Sequence, residues 1–165
     1  MKFQGAAVAL VAALMVGLSG LDSHSAHSQD DSAFAPLLGW WKGQGRLGFQ
    51  EGQTENVTCR ATYVLGDVPT KLEQNIRCAT SSGKVEIVSH VTNDDGELSG
   101  TWTERIYNLV GDLSGAITER GYRVSVTGGD VGAEMEIIVK DGMQVIEIKF
   151  SGNTLRGLTL VLKKG

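Results

Sequence analysis

Apolar and polar residues alternate along almost the whole chain after residue 39, and this alternation predicts β-strands. The stretch NVTCRATYVL places Val57, Cys59, Ala61, Tyr63 and Leu65 on one face of a strand and polar residues on the other. The stretches GYRVSVTG, AEMEIIVK, MQVIEIKF and LRGLTLVLK repeat the pattern and are rich in β-branched residues, which favour strands. Past residue 39, no window of ten or more residues has the i, i+3, i+4, i+7 spacing of an amphipathic helix.

Short turn sequences rich in Gly, Asp and Ser separate these segments, which recur at spacings of 8–14 residues. That rhythm is typical of an antiparallel sandwich or barrel. The Asp141-Gly142 pair suits a type I′ hairpin, because both residues tolerate positive φ. Short hairpins favour an up-and-down meander, and closure removes exposed strand edges. We therefore predict that residues 39–165 form an all-β antiparallel meander of about 8–10 strands that closes into a small barrel.

The N-terminal residues differ in character from the rest of the chain. Lys2 precedes an apolar run of 14 residues, which is short for a membrane span and typical of a cleaved signal peptide over residues 1–28. Cleavage after Ala26-His27-Ser28 predicts a periplasmic or secreted protein. In residues 29–38, Asp31 or Ser32 is suited to cap one short helical turn before the barrel.

Charge and composition limit the partners to be expected. The formal net charge is −4, and the charges are scattered, which argues against nucleic-acid and anionic-membrane binding. An outer-membrane barrel needs a lipid-facing apolar band with aromatic girdles, but most outward positions are polar or charged. We therefore expect a protein that does not span a membrane.

Cys59 and Cys78 lie on successive predicted strands around the turn GDVPT. If paired positions sum to 137, the two cysteines face each other, Leu65 meets Leu72, and Ala61 meets Ile76. An exported chain with two cysteines in register predicts a disulfide, which closes a loop of 20 residues. The same register sets Arg60 opposite Arg77, as a pair that binds a carboxylate or phosphate or as a solvated pair relieved by Glu55 or Glu73.

Two near copies of one motif, DGELSGTWTER and VGDLSGAITER, lie fifteen residues apart. A phosphate-binding loop would lead into a helix N-terminus, whereas each copy leads into a strand with alternating polarity. A solenoid needs at least three such units. The motif is therefore interpreted as the start of a strand after a turn, with a buried leucine and an inward glycine that permits the barrel to bend. Glu104 and Glu119 end the two inward stripes and should lie at opposite barrel ends.

Inward glycines lie beside large aromatic residues in GWWKGQGRLGF and in the two motif copies. Two interpretations remain open: Trp41 and Trp102 fill the core opposite the glycines, or they line a ligand cavity. For a cavity, the candidate lining residues are Trp41, Tyr63, Trp102 and Glu104. The expected ligand is a small apolar molecule or a lipid.

The stretches GWWKGQG and DGELSGTWTE resemble the calycin pattern, and the second is similar to a motif of avidins. This resemblance implies an exported small barrel with an interior ligand site, as in lipocalin-like proteins. Biotin binding is not carried over, because avidin-type sites use tryptophans on later strands and this chain has none after Trp102. The chain also resembles a group of small exported alphaproteobacterial proteins, in TENVTCRATY and NIRCATSSG, and that resemblance implies no particular activity.

Catalytic chemistry finds little support in the sequence. His90 is the only histidine after the predicted cleavage site, and no nucleophile motif accompanies it. The acidic run Asp94-Asp95-Gly96-Glu97 lacks the alternating ligands of a calcium loop. We expect no catalytic residues, no metal site and no cofactor, and hence no enzyme. The alternative to interior ligand binding is an envelope protein-interaction module, an inhibitor or envelope-integrity factor, that acts through the outward residues Trp40, Arg46, Arg60 and Arg77.

Overall fold

The computed structural model describes residues 32–152 and 154–165, and ten β-strands account for most of them. The strands are β1 Gly39–Phe49, β2 Thr54–Leu65, β3 Lys71–Ala79, β4 Lys84–Asp94, β5 Glu97–Glu104, β6 Leu109–Thr118, β7 Gly121–Gly128, β8 Val131–Lys140, β9 Met143–Ser151 and β10 Leu155–Lys164. The predicted signal peptide, residues 1–28, lies outside the described residues.

Every strand pairs antiparallel with the next along the chain, and β1 also pairs with β10. The sheet is therefore a closed barrel, and the predicted all-β meander is confirmed. Closure gives both edges of the meander a hydrogen-bonding partner, so neither edge of the ten described strands is left open for aggregation. Asp141 and Gly142 both have positive φ, at 49° and 72°, as the predicted tight turn requires.

The hairpin of β2 and β3 has the register that the cysteine spacing predicts. Cys59 pairs with Cys78, and the two are joined by a disulfide with their Cα atoms 4.2 Å apart. Leu65 pairs with Leu72. Apolar residues of this hairpin therefore meet on the inner face, while Arg60 and Arg77 meet on the outer face.

Residues 32–38 form turns that close one end of the barrel. Backbone hydrogen bonds run from the N–H of Ala35 to Ser32 and from that of Leu37 to Phe34, as in one tight helical turn. The Ser32 hydroxyl accepts the N–H of Phe34 at 3.2 Å and donates to the carbonyl of Pro69 at 2.6 Å, so it caps this turn as predicted. Because Phe34 and Leu37 are almost fully buried, the turn acts as an apolar plug.

The barrel has a plugged end and an opposite end. The turns that follow β2, β4, β6 and β8 lie at the plugged end, since the strands alternate in direction. The turns that follow β1, β3, β5, β7 and β9 lie at the opposite end. Within the described part of the chain, no helix has the length and apolar character needed to cross a membrane.

Candidate functional site

A cavity of about 470 Å³ occupies the barrel interior. Phe34 and Leu37 of the N-terminal turn form its floor. The cavity reaches the surface at the opposite end, where the exposed residues 82–84 and Tyr107 line it. The volume lies in the range of roughly 300–1,000 Å³ that is usual for small-molecule sites.

Apolar side chains from all ten strands form most of the cavity wall. They include Leu47, Val57, Ile76, Ile87, Leu98, Leu113, Val126, Met135, Ile148 and Leu158. Among the described residues that line the cavity, Lys84 is the one charged side chain, and it lies at the mouth. The arrangement therefore suits an uncharged apolar molecule inside the barrel.

Trp102 lines the cavity and also fills space above two glycines. Its indole N–H donates to the carbonyl oxygen of Thr127 at 3.2 Å. A Cβ placed on Gly111 would lie 2.6 Å from Nε1, and one on Gly128 would lie 2.9 Å from Cζ2. Trp102 therefore fits both interpretations in part. One side of its ring packs over glycines as a core residue would, and another side lines the cavity.

Tyr63 lines the cavity and forms a buried polar pair with Gln144. Its hydroxyl donates to Gln144 Oε1 at 3.2 Å. Burial raises the pKa of the Tyr63 phenol well above its ordinary value, and the Gln144 hydrogen bond only partly offsets this effect. Gln144 is fully buried, and among the described residues its Nε2 has no hydrogen-bond partner.

Glu104 is buried near the mouth but is not among the described residues that line the cavity. Its carboxylate accepts the backbone N–H groups of Glu86, Ile106 and Tyr107 at 2.9, 2.9 and 2.6 Å. Burial raises the pKa of this carboxyl, but the three hydrogen bonds outweigh burial and hold it below its ordinary value. Glu104 therefore anchors the loop at residues 105–108, which carries Tyr107 to the mouth.

Trp41, the fourth candidate lining residue, packs against the plug and does not line the cavity either. Its indole N–H donates to the carbonyl oxygen of Leu37 at 2.6 Å. His90 lies on the outer face, where it is exposed and pairs across the strands with Glu73. Of the four candidates, Tyr63 and Trp102 thus lie together at the cavity.

Gln74 and Ser89 also line the cavity, and the sequence interpretation missed them. Each is a polar residue at an inward position of a strand that otherwise presents apolar side chains inward, such as Leu72 and Ile76 beside Gln74. A polar residue at an inward strand position is therefore the sequence feature that could have identified Gln74 and Ser89 as lining residues.

The outward candidates Trp40, Arg46, Arg60 and Arg77 are all exposed on the adjacent strands β1, β2 and β3. Arg77 forms an ion pair with Glu86 at 3.1 Å. The charge repulsion between Arg77 and Arg60 is therefore reduced by Glu86, and not by Glu55 or Glu73 as expected from the sequence. Glu55 instead accepts a hydrogen bond from the Ser82 hydroxyl at 2.8 Å.

Four cations form a row across the outside of four neighbouring strands, and we call it the basic row. Lys163 pairs with Lys42, Lys42 with Arg60, and Arg60 with Arg77. Residues directly opposite each other in a sheet project to the same face, and like charges at such positions repel. All four side chains are exposed, so solvent screens much of this repulsion.

No protein-family model matches this chain, and no curated protein matches it. Among solved structures, the chain is similar to the crystal structure of Rv2717c from M. tuberculosis, with a TM-score of 0.67 and 12% sequence identity. The match covers 81% of this chain and 95% of that chain. At this identity the similarity establishes the barrel fold alone.

Proposed function

We propose that this protein binds a small apolar molecule or a lipid inside the barrel. The observation that carries the proposal is the cavity of about 470 Å³, which is walled by apolar side chains and reaches the surface at one end. Transfer of apolar ligand surface from water into such a space is favourable by about 25 cal/mol per Å². The closed sheet and the disulfide between β2 and β3 hold the wall in place before a ligand arrives.

The proposed role is binding rather than catalysis. The polar groups of Trp102 and Glu104 are committed to backbone partners, which suits them to shape the site and not to transfer protons. The disulfide fits an extracellular or periplasmic location. We propose that the protein works in that compartment as a carrier or reservoir for its ligand.

Displacement of a neutral fluorescent probe tests this function directly. We expect 1-aminoanthracene to gain fluorescence on binding to the mature protein and to be displaced by apolar competitors. Val126 lines the cavity, whereas its neighbour Thr127 is exposed on the outer face. Val126→Trp should therefore fill the cavity and weaken probe binding at least tenfold, while the matched control Thr127→Trp should bind as the wild type does.

Native mass spectrometry of the protein purified from its own periplasm gives an independent test. A reproducible extra mass that is lost on denaturation, and is absent in Val126→Trp, would identify the ligand class. Equal probe binding by the wild type and by Val126→Trp would contradict the proposal, because binding would then lie outside the cavity.

A second candidate function is the docking of an acidic envelope protein on the outer face. The basic row is the observation that favours it, because Lys163, Lys42 and Arg60 place like charges directly opposite each other, an arrangement that destabilises a sheet unless an acidic partner relieves it. Trp40 extends the surface beside this row, with Lys42 Nζ 5.5 Å from the centre of its ring. Tryptophan and arginine are enriched at protein–protein interfaces relative to the rest of the surface, and this face presents Trp40, Arg60 and Arg77.

Quantitative binding to a candidate acidic partner tests this second function. Lys42→Gln/Arg60→Gln should weaken binding and reduce its dependence on salt, since two cations leave the basic row. The control Lys149→Gln/Arg156→Gln removes two exposed cations outside the row. Equal losses in the two double variants would show a general charge effect and contradict docking at this row.

A further inference from the structure

Four polar or amphipathic side chains form a continuous row on the inner wall of the cavity, and we call it the inner row. Tyr63 of β2 pairs with Gln74 of β3, Gln74 pairs with Ser89 of β4, and Ser89 pairs with Trp102 of β5. All four line the cavity. Because directly paired residues on neighbouring strands lie about 4.5–5.5 Å apart, one ligand group can reach two members of the row at once.

The two ends of the inner row are already hydrogen-bonded, whereas its centre is not. Tyr63 donates to Gln144, and the Trp102 indole donates to Thr127. Neither the Gln74 amide nor the Ser89 hydroxyl has a hydrogen-bond partner among the residues that the structure describes. Ser89 is only 3% exposed, so its hydroxyl faces the cavity and not the outer solvent.

Unpartnered polar groups in an apolar enclosure are costly unless something in the cavity satisfies them. If the ligand were a plain hydrocarbon, apolar side chains at positions 74 and 89 would bind it more favourably. The Gln74 amide offers two donors and an acceptor, and the Ser89 hydroxyl offers one donor and accepts as well. The centre of the inner row is therefore equipped to receive a group that can donate or accept a hydrogen bond.

The charge of that group follows from its surroundings. The charged side chain that lines the described cavity is Lys84, which lies at the mouth on the first residue of β4. Ser89 lies five residues farther along the same strand, towards the plugged end. An ionised carboxylate or ammonium at the inner row would be buried without a countercharge, which is strongly unfavourable.

We propose that the ligand is a neutral amphipathic molecule, such as a long-chain alcohol, ketone or amide. It enters with its polar end first, forms hydrogen bonds with Gln74 and Ser89, and leaves its apolar chain against the wall towards the mouth. This inference rests on the proposed function and specifies the ligand class of the same site. Lys84 and Tyr107 then lie beside the outer end of the ligand's apolar chain, and the ligand needs no charged head group there.

Competition against bound 1-aminoanthracene tests the inference with three straight-chain probes of matched length, an n-alkanol, an n-alkane and an n-alkanoate. We expect the wild type to bind the alkanol several-fold to tenfold more tightly than the alkane, as one or two net hydrogen bonds allow. The alkanoate should bind more weakly than the alkanol at neutral pH.

Variants assign that preference to the inner row. Gln74→Leu/Ser89→Ala should lose the preference for the alkanol while it keeps or improves its affinity for the alkane. Met135→Leu changes the apolar wall of the cavity without removing a polar group, and it should keep the preference. Thermal unfolding of each variant confirms that it is folded before binding is compared.

Each remaining outcome decides against the inference. Equal binding of the alkanol and the alkane by the wild type would overturn it and leave interior apolar binding intact. Tightest binding of the alkanoate, lost in Lys84→Met, would place a charged head at the mouth and overturn the polar-end-first orientation. Failure of 1-aminoanthracene and all three probes to bind would overturn both the inference and the proposed function.

Discussion

Leu98 lies directly opposite Gly115 in the pair of strands β5 and β6, and Gly100 lies opposite Leu113. The two copies of the Leu-Ser-Gly motif therefore pair with each other in antiparallel register, with Ser99 opposite Ser114. Each buried leucine faces the glycine of the other copy. The internal repeat is thus a local two-fold relationship within one hairpin, which places two leucines on the cavity wall.

Gly115→Ala should destabilise the barrel because the position has no room for a Cβ. A methyl group there would overlap the carbonyl oxygen of Arg123 on β7, so the strands would have to move apart. We expect a loss of about 1–3 kcal/mol in the free energy of unfolding, as for other overpacked positions. Denaturant unfolding followed by tryptophan fluorescence measures it.

The matched control for that change is Gly48→Ala, on β1. A Cβ at Gly48 would lie 3.7 Å from its nearest neighbour, the carbonyl oxygen of Gly157, which is an ordinary contact. This variant should be neutral or more stable by up to about 1 kcal/mol, because alanine restricts the unfolded chain. If both variants lost the same stability, the role assigned to the inward glycine would be wrong.

The fold could be predicted largely from sequence because its rules are local. Alternating polarity marks the strands, turn residues mark their ends, and the cysteine spacing sets the register of the hairpin of β2 and β3. A meander is a series of such hairpins. The inner row could not be found that way, since Gln74 and Ser89 meet only after the registers of β2–β3 and β3–β4 are both known.

Glu104 and Glu119 show the same limit on prediction. They occupy equivalent motif positions, but Glu104 is buried while Glu119 lies exposed in the turn after β6. The difference comes from the loop at residues 105–108, whose N–H groups turn back towards Glu104. Sequence periodicity carries no information about such loop geometry, although it does place the two carboxyls at opposite barrel ends.

Loss of the disulfide should lower the stability of the barrel without changing its topology. Cys59→Ala/Cys78→Ala opens a loop with a sequence separation of 19. The chain-entropy model predicts a loss of about 3 kcal/mol in the free energy of unfolding. Unfolding of the wild type with and without a thiol reductant supplies the control, because the cysteine side chains remain while the bond is absent. Identical midpoints in those two conditions would show that the cross-link does not contribute.

Replacement of Glu104 should loosen the mouth of the cavity in a pH-dependent way. Glu104→Gln leaves one acceptor oxygen where the carboxylate has two, so at least one backbone N–H loses its partner. We expect a loss of about 2 kcal/mol in the free energy of unfolding at neutral pH. Faster hydrogen exchange at residues 105–108 should accompany it. Glu97→Gln, an exposed change on the same strand, should alter stability by less than about 0.5 kcal/mol.

The pH dependence of the Glu104 effect has a defined sign. The pKa of the Glu104 carboxyl is lowered from its ordinary value of 4.5, so the folded state binds its proton less readily than the unfolded state. Its contribution is therefore complete above pH 4.5 and is lost as the pH falls through the folded-state pKa. The stability difference between the wild type and Glu104→Gln should shrink below pH 4.5. A difference that grows with acidity would contradict the assigned hydrogen bonds.

Tyr122 connects the N-terminal plug to the barrel wall, and Tyr122→Phe should weaken that connection. Its hydroxyl donates to the carbonyl oxygen of Ala33 at 2.8 Å, and its ring stacks on Phe34 with centroids 6.2 Å apart. Phenylalanine keeps the stacking and removes the hydrogen bond, so we expect a loss of about 1 kcal/mol at neutral pH. Hydrogen exchange at residues 32–38 should increase.

Alkaline unfolding separates this role of Tyr122 from a purely packing role. Burial raises the pKa of Tyr122 to about 12 from its ordinary value of 10.0. Between these two values the unfolded chain loses the phenolic proton and the folded chain keeps it, so the wild type loses about 1.4 kcal/mol per pH unit through this group. Tyr122→Phe lacks that loss. The stability curves of the two proteins should therefore cross between pH 10 and pH 12, whereas parallel curves would mean that the hydroxyl is not buried against the plug.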